Sequence, residues 1–333
     1  MILNKEQMKA VGCLIGGAVG DALGYAVEFY EDSTIFRKYG ENGITDYHLC
    51  DGKALISDDT QMTLFTAEGL LFSKDTASII ESIYKSYLNW YKTQTTKTPI
   101  GNDGLLSIPC LYDTRAPGNT CLNALESQVR GTIETPINSS KGCGGIMRVA
   151  PIAVYCYNRK IPCIEADLLA ARAAAITHGH ELGYIPAAMF VHIIYRILEG
   201  MDLKLAVNDS IASVSGLFKD SVHVNEAISL LKKAVELSVQ DNDALDDICE
   251  LGQGWVAEET LAIAVYCCLK YNDNFEQTII AAVNHSGDSD STGAVAGNII
   301  GAYLGAKSIP SKYLVHLELI DVIVNLSIRL CDR

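Results

Sequence analysis

Gly12-Cys13-Leu14-Ile15-Gly16-Gly17-Ala18-Val19-Gly20-Asp21-Ala22-Leu23-Gly24 places a glycine at every fourth residue. Gly293-Ala294-Val295-Ala296-Gly297-Asn298-Ile299-Ile300-Gly301-Ala302-Tyr303-Leu304-Gly305 does the same near the other end of the chain. A four-residue step keeps each set on one face of a helix. Glycine inside a helix costs roughly 1 kcal/mol relative to alanine, so a stripe of them needs a packing reason. Close approach of two backbones along a smooth face supplies one, as in small-xxx-small packing. Both helices are therefore expected to be central, and their position at opposite ends of a 333-residue chain predicts one shared core and a single domain over residues 1–333.

Between the stripes, apolar residues recur at helical spacing, as in Ile79-Ile83-Tyr87-Trp90, Leu168-Ala171-Ala175, Val191-Ile194-Ile197 and Ile228-Leu231-Val235. Alternating strand patterns are scarce, so the expected class is all-α. Hydrophobic residues make up 49% of the chain, which argues against disorder, and a net charge of −14 argues against nucleic acid as a partner. Eleven dispersed cysteines without a Cys-x-x-Cys pair fit a reducing compartment, and a cytoplasmic protein is expected. Lys5 and Lys9 precede the apolar run from Ala10 to Gly20 in the manner of a signal peptide. However, Asp21 closes that run and the pattern continues through Leu23, so the segment reads as part of the fold. It is also shorter than the ~20 apolar residues that a bilayer demands, and no membrane segment is expected.

Two acidic knots stand out, Ser57-Asp58-Asp59-Thr60 and Gly287-Asp288-Ser289-Asp290-Ser291-Thr292-Gly293, each at the start of an apolar helical pattern. Taken singly, each reads as a helix cap that offsets the N-terminal dipole. Taken together, four carboxylates exceed what capping requires, and an oxygen-only set suits a hard divalent cation if the knots meet in space. The second knot also mimics two other patterns. As an EF-hand loop it needs a Glu at its twelfth position, where Ile299 stands. As the Asp-x-Asp-x-Thr signature of haloacid-dehalogenase-type phosphatases it needs a preceding buried strand, and here it follows helix-like sequence.

The loop from Thr93 to Thr120 is rich in Gly, Pro, Thr and Asn, and loops of that length are usually functional or mobile. Gly142-Cys143-Gly144-Gly145 offers exposed amides for a phosphate, with Arg148 as counter-charge, or forms a plain turn. His178 and His180 lack the Cys or His partners of a zinc motif, and Cys143 has no base at a fixed spacing that would make it a nucleophile. The acidic run from Asp241 to Glu250 reads as solvated surface. These residues lead to a helical, metal-dependent enzyme acting on a small or phosphorylated ligand.

Five stretches together resemble the ADP-ribosylglycohydrolase family: Gly16 to Gly24 with Glu28, Ser57 to Thr60, Gly142 to Pro151, Thr177 to His180, and Gly287 to Gly293. The resemblance implies a single compact all-α domain of orthogonally packed helices with a centre of two Mg²⁺ ions, Mn²⁺ being the alternative. It implies metal ligands at Ser57, Asp58, Asp59, Asp288, Asp290 and Ser291, and proton transfer by Glu28 or Asp59. It implies substrate contacts at Gly142, Cys143, Gly144, Gly145, Arg148 and His178; many members carry Asn where this chain has Cys143. The Asp-Ser-Asp-Ser-Thr-Gly wording is similar to the arginine-directed members, so the expected reaction is removal of ADP-ribose from arginine on a modified protein, reversing an ADP-ribosyltransferase. Hydrolysis of ADP-ribosyl-serine or O-acetyl-ADP-ribose, and a non-catalytic immunity or regulatory binder, are the alternatives.

Overall fold

The computed structural model describes residues 4–332. Its helices run α1 Lys5–Gly24, α2 Asp32–Tyr39, α3 Asp58–Leu71, α4 Ile79–Thr95, α5 Asn119–Glu126, α6 Ala150–Asn158, α7 Cys163–Ala175 and α8 Glu181–Glu199. They continue as α9 Leu203–Leu217, α10 Val224–Leu237, α11 Ala244–Leu251, α12 Ala257–Lys270, α13 Phe275–Val283, α14 Ser289–Leu304, α15 Ser311–Val315 and α16 Ile320–Cys331. Among the described residues the only sheet is a short antiparallel hairpin that pairs Leu49 with Ala54 and Cys50 with Lys53. The chain is all-α.

A capping box opens α1: the Asn4 side chain accepts from the Gln7 amide at 2.8 Å, and the Gln7 side chain accepts from the Asn4 amide at 3.1 Å. The glycine stripe of α1 then lies antiparallel against that of α14. A methyl group added at Gly12, Gly16 or Gly20 would overlap the carbonyl oxygen of Gly301, Gly297 or Gly293 respectively. Asn298 fastens the pair by donating to the Cys13 carbonyl at 2.8 Å. The stripes do not match at their ends. Gly24 meets the carbonyl of Ser289 rather than a glycine, and Gly305 ends α14 in a C-terminal turn with φ +82°, its backbone still lying against Gly12.

Around this pair, α14 also packs on α8, α12 and α13, and α1 on α16. A single apolar core runs through these helices, from Ala10 to Leu330. The apolar helix α8 is long enough by composition to cross a membrane, yet 89% of its most apolar window is buried inside the fold. It is the hub of the bundle, touched by α6, α7, α9, α10 and α12.

The acidic run from Asp241 to Glu250 differs from its sequence reading at one position. Asp247 is buried in α11, where it accepts from Asn242 at 2.9 Å, from the Tyr266 hydroxyl at 2.7 Å and from Lys270 at 3.3 Å. Burial alone would raise its pKa, but these three donors outweigh it and hold the carboxyl below the usual range.

Candidate functional site

The first acidic knot is set by α1. Asp21, fully buried at the glycine-striped face, accepts from the Ser57 amide at 3.0 Å and the Thr60 amide at 3.0 Å, and also from the Thr60 hydroxyl. These bonds satisfy amides that the start of α3 would otherwise leave orphaned. The Ser57 hydroxyl caps α3 by accepting from the Asp59 amide at 3.2 Å. Asp58 is steadied from the long loop, since the Gly118 amide donates to its Oδ2 at 3.3 Å and its own amide donates to the Arg115 carbonyl at 3.1 Å. Arg115 is in turn held by Glu318 at 3.4 Å and Asp113 at 3.0 Å, so residues 113–118 form a braced wall.

The second knot depends on Gly287. Its φ of +130° is one that L side chains rarely adopt, and a Cβ there would overlap the Gln253 carbonyl. That turn lets the Asp288 amide donate to the same carbonyl at 2.8 Å. Asp288 then caps α14, accepting from the Ser291 amide at 3.2 Å, while Asp290 accepts from that amide at 2.9 Å.

The two knots meet. Asp58, Asp59, Asp288, Asp290 and Ser291 line one cavity of about 350 Å³, together with Glu28 from the turn after α1. Glu28, Asp288 and Asp290 each bring a carboxylate oxygen within 4.8 Å of the others. Burial, followed by the charges of Asp288, Asp58 and Asp21, pushes Glu28 up to about 9. Burial pushes Asp58 up to about 8, with Asp21 and Asp288 adding to the shift against the Gly118 hydrogen bond. Asp59 and Asp290 lie well above the ordinary carboxylate range, first through burial and then through neighbouring carboxylates, Asp21 and Asp58 for Asp59, Asp59 and Asp288 for Asp290. Glu28 Oε2 and Asp59 Oδ2 are buried with no hydrogen-bond partner. Crowded, desolvated and orphaned carboxylate oxygens fit a hard divalent cation, whose charge reverses each of these penalties.

The glycine loop forms the opposite wall. Gly142, Cys143 and Gly144 line the cavity, as does His178. The Cys143 thiol donates to Asp288 Oδ2 at 2.7 Å, and the ring of His178 lies against Gly142 and Gly144. Burial, then the nearby Arg148 charge, lowers His178 to about 3, so its imidazole is neutral, with Nδ1 at 2.8 Å from the Thr177 hydroxyl. His180 instead caps α8 by accepting from the Leu182 amide.

Three residues singled out in the sequence lie elsewhere. Arg148 is 0% exposed and points into the core, where it donates to Thr177 at 2.6 Å and to the Ala173 carbonyl at 3.4 Å, and stacks over Tyr87 at 4.3 Å. It organises the loop from behind and makes no cavity wall. Gly145 faces α8, where a Cβ would press on the Gly183 carbonyl at 2.7 Å. Ser57 is fully buried as the cap of α3, behind the wall that Asp58 and Asp59 form.

Other contributors escaped the sequence reading. Asp21 was visible only as an acid that interrupts an apolar run, and residues 116–120 only as a loop. Phe29 and Trp255 stack at the cavity, with ring centroids 5.9 Å apart, and are 70% and 40% exposed. An aromatic beside the second candidate acid was the available signal for Phe29; Trp255 had none.

Comparison with known proteins agrees with this geometry. The family model described as ADP-ribosylglycohydrolase matches residues 3–333. The chain is 26% identical to ADP-ribosylhydrolase ARH3 of Danio rerio, with 96% of this chain and 89% of that protein covered. It is 26% identical to the ADP-ribosyl-[dinitrogen reductase] glycohydrolase of Rhodospirillum rubrum, covering 93% and 90%. It is 25% identical to ADP-ribosylarginine hydrolase Tri1 of Pseudomonas putida, covering 99% and 80%. A solved structure titled as an ADP-ribosylglycohydrolase-related protein complex superposes with a TM-score of 0.67 at 26% identity, covering 99% of both chains. The glycine-paired helices, the converging acidic knots and these likenesses over nearly the whole length place the chain in the ADP-ribosylglycohydrolase family, hydrolases of ADP-ribose linkages.

Proposed function

We propose that this protein removes ADP-ribose from arginine side chains of modified proteins, reversing an ADP-ribosyltransferase, with Mg²⁺ at the carboxylate cluster. The observation that carries the reading is the convergence of Glu28, Asp58, Asp59, Asp288 and Asp290 on one cavity beside the glycine loop. Mg²⁺ held by Asp58, Asp59, Asp288, Asp290 and the hydroxyl of Ser291 would supply Lewis-acid polarisation of the ribose hydroxyls and of water.

The residues of the chain do the rest. Gly142 and Gly144, where a Cβ would meet His178 and Cys121, let the loop lie close on these residues and offer its backbone to a diphosphate, and neutral His178 backs them without adding charge. Hydrolysis breaks the bond between the anomeric carbon and the guanidinium nitrogen, forms a carbon–oxygen bond to water, and moves one water proton to the departing nitrogen. Glu28, whose Oε2 is buried without a partner and which brings a carboxylate oxygen within 4.8 Å of those of Asp288 and Asp290, takes that proton and passes it on. The arginine linkage is supported by the acidic cavity wall, by the exposed Phe29–Trp255 pair on which a guanidinium can stack, and by the likeness to the arginine hydrolase of P. putida. Eleven free thiols support a cytoplasmic setting.

Incubation with arginine-ADP-ribosylated protein is expected to release free ADP-ribose in Mg²⁺ and none after chelation, read by chromatography. Release only from serine-linked or O-acetyl-ADP-ribose would overturn the linkage. Protection of the modified target by Asp290→Asn as fully as by the parent would favour a non-catalytic binder.

A further inference from the structure

Away from this cavity, α7, α8 and α9 meet around a second set of metal-competent side chains. Cys163 and Asp167 stand one turn apart on α7, His192 faces them from α8, and Asp209 and Ser213 come from α9. Cys163, Asp167 and His192 are 9%, 0% and 2% exposed. Cys163 Sγ lies 3.4 Å from His192 Nδ1 and 3.8 Å from Asp167 Oδ1, and His192 Nδ1 lies 2.8 Å from Asp167 Oδ2. Bonds of about 2.0–2.3 Å to a tetrahedral Zn²⁺ set ligand–ligand edges of roughly 3.3–3.6 Å; the two separations from Cys163 Sγ lie near that range, and the hydrogen bond between His192 and Asp167 Oδ2 is the contact an ion would replace.

The surroundings are those that a metal-binding histidine needs. Its other ring nitrogen, Nε2, is 3.0 Å from Asp209 Oδ2, and Arg196 Nε fixes that carboxylate at 2.7 Å. Ser213 orients Asp167 by donating to Oδ2 at 2.7 Å. A carboxylate on the far nitrogen holds the tautomer that presents Nδ1 to an ion. Asp209 is 37% exposed in its side chain, so the Nε2 edge of the imidazole lies toward solvent while the three candidate ligands are buried.

We propose that Cys163, Asp167 and His192 bind a thiophilic divalent cation, Zn²⁺ by ligand type, at a site distinct from the carboxylate centre. The sulfur–nitrogen–oxygen set selects Zn²⁺, whereas the carboxylate cluster of the cavity selects Mg²⁺, so the two sites sort their ions by hardness. Without an ion, His192 bridges Asp167 through Nδ1 and Asp209 through Nε2, and Arg196 pairs with Asp209. Zn²⁺ would take the Cys163 sulfur as thiolate and Nδ1 as a lone pair, with the protons released to solvent. Three protein ligands leave the fourth position to solvent.

Co²⁺ is the probe, added to the chelator-treated full chain in excess Mg²⁺, which occupies the carboxylate centre. Wild type is expected to bind one Co²⁺ with a thiolate-to-cobalt charge-transfer band and tetrahedral visible bands, both displaced by Zn²⁺. Cys163→Ser is expected to lose the charge-transfer band while keeping the wild-type circular dichroism, and Cys143→Ser to retain it. Asp209→Asn, which leaves all three ligands in place, is expected to weaken Co²⁺ binding about 10–100-fold. Absence of the band in wild type, its survival in Cys163→Ser, or its loss in Cys143→Ser would overturn the site and leave the hydrogen-bonded bridge from Asp167 through His192 to Asp209 as the whole explanation of the cluster.

Discussion

Ser57 occupies the capping position of α3 and leaves Asp58 and Asp59 to the cavity, whereas Asp288 both caps α14 and lines the cavity beside Asp290. Capping and cavity lining are divided between residues in the first knot and combined in one residue in the second. Asp290→Asn keeps the hydrogen-bonding shape but removes a charge facing Glu28, and is expected to lose ADP-ribose release entirely while leaving the fold intact, checked by circular dichroism. Glu28→Gln is expected to lower the single-turnover rate by about 10²–10⁴-fold with substrate binding retained. The carboxylates themselves were legible in the sequence because clustered acids at helix starts carry their own signal. Asp21 was not, since the amides that it serves lie 36 and 39 residues away. Arg148 was misread for the same reason: Met62, Tyr87, Cys121 and Thr177, which surround it, come from four other segments.

At the scale of the element, the four-residue glycine step predicted both central helices, because a stripe with no side chains has few other uses in a buried helix. Gly20→Ala is expected to force α1 from the Gly293 carbonyl and to cost about 3 kcal/mol or more, read as a fall in denaturant midpoint. Gly216→Ala in α9, where no atom lies within 4 Å, is expected instead to stabilise by about 0.4–1 kcal/mol. The opposite signs separate packing from backbone entropy. The long loop was legible as a loop, but not as a wall, because its form comes from the Arg115–Glu318 pair, joined across 203 residues.

For the whole molecule, stability should follow pH through Asp247. Its folded pKa is depressed, so the stability that it contributes is present above the unfolded carboxylate pKa and is lost as pH falls through the folded value. Asp247→Asn is expected to destabilise the protein by about 3 kcal/mol near neutrality, and the melting curves of variant and parent should converge in acid. The shared core also has a consequence in time. The face of α1 is covered by α14, whose first residue is synthesised 265 positions after the last residue of α1, Gly24. At roughly 5–20 residues per second, a nascent chain carries that bare glycine groove for tens of seconds before its cover emerges. The first acidic knot therefore waits for the second until α14 emerges, and activity is expected to appear abruptly once α14 has left the ribosome rather than to grow with chain length.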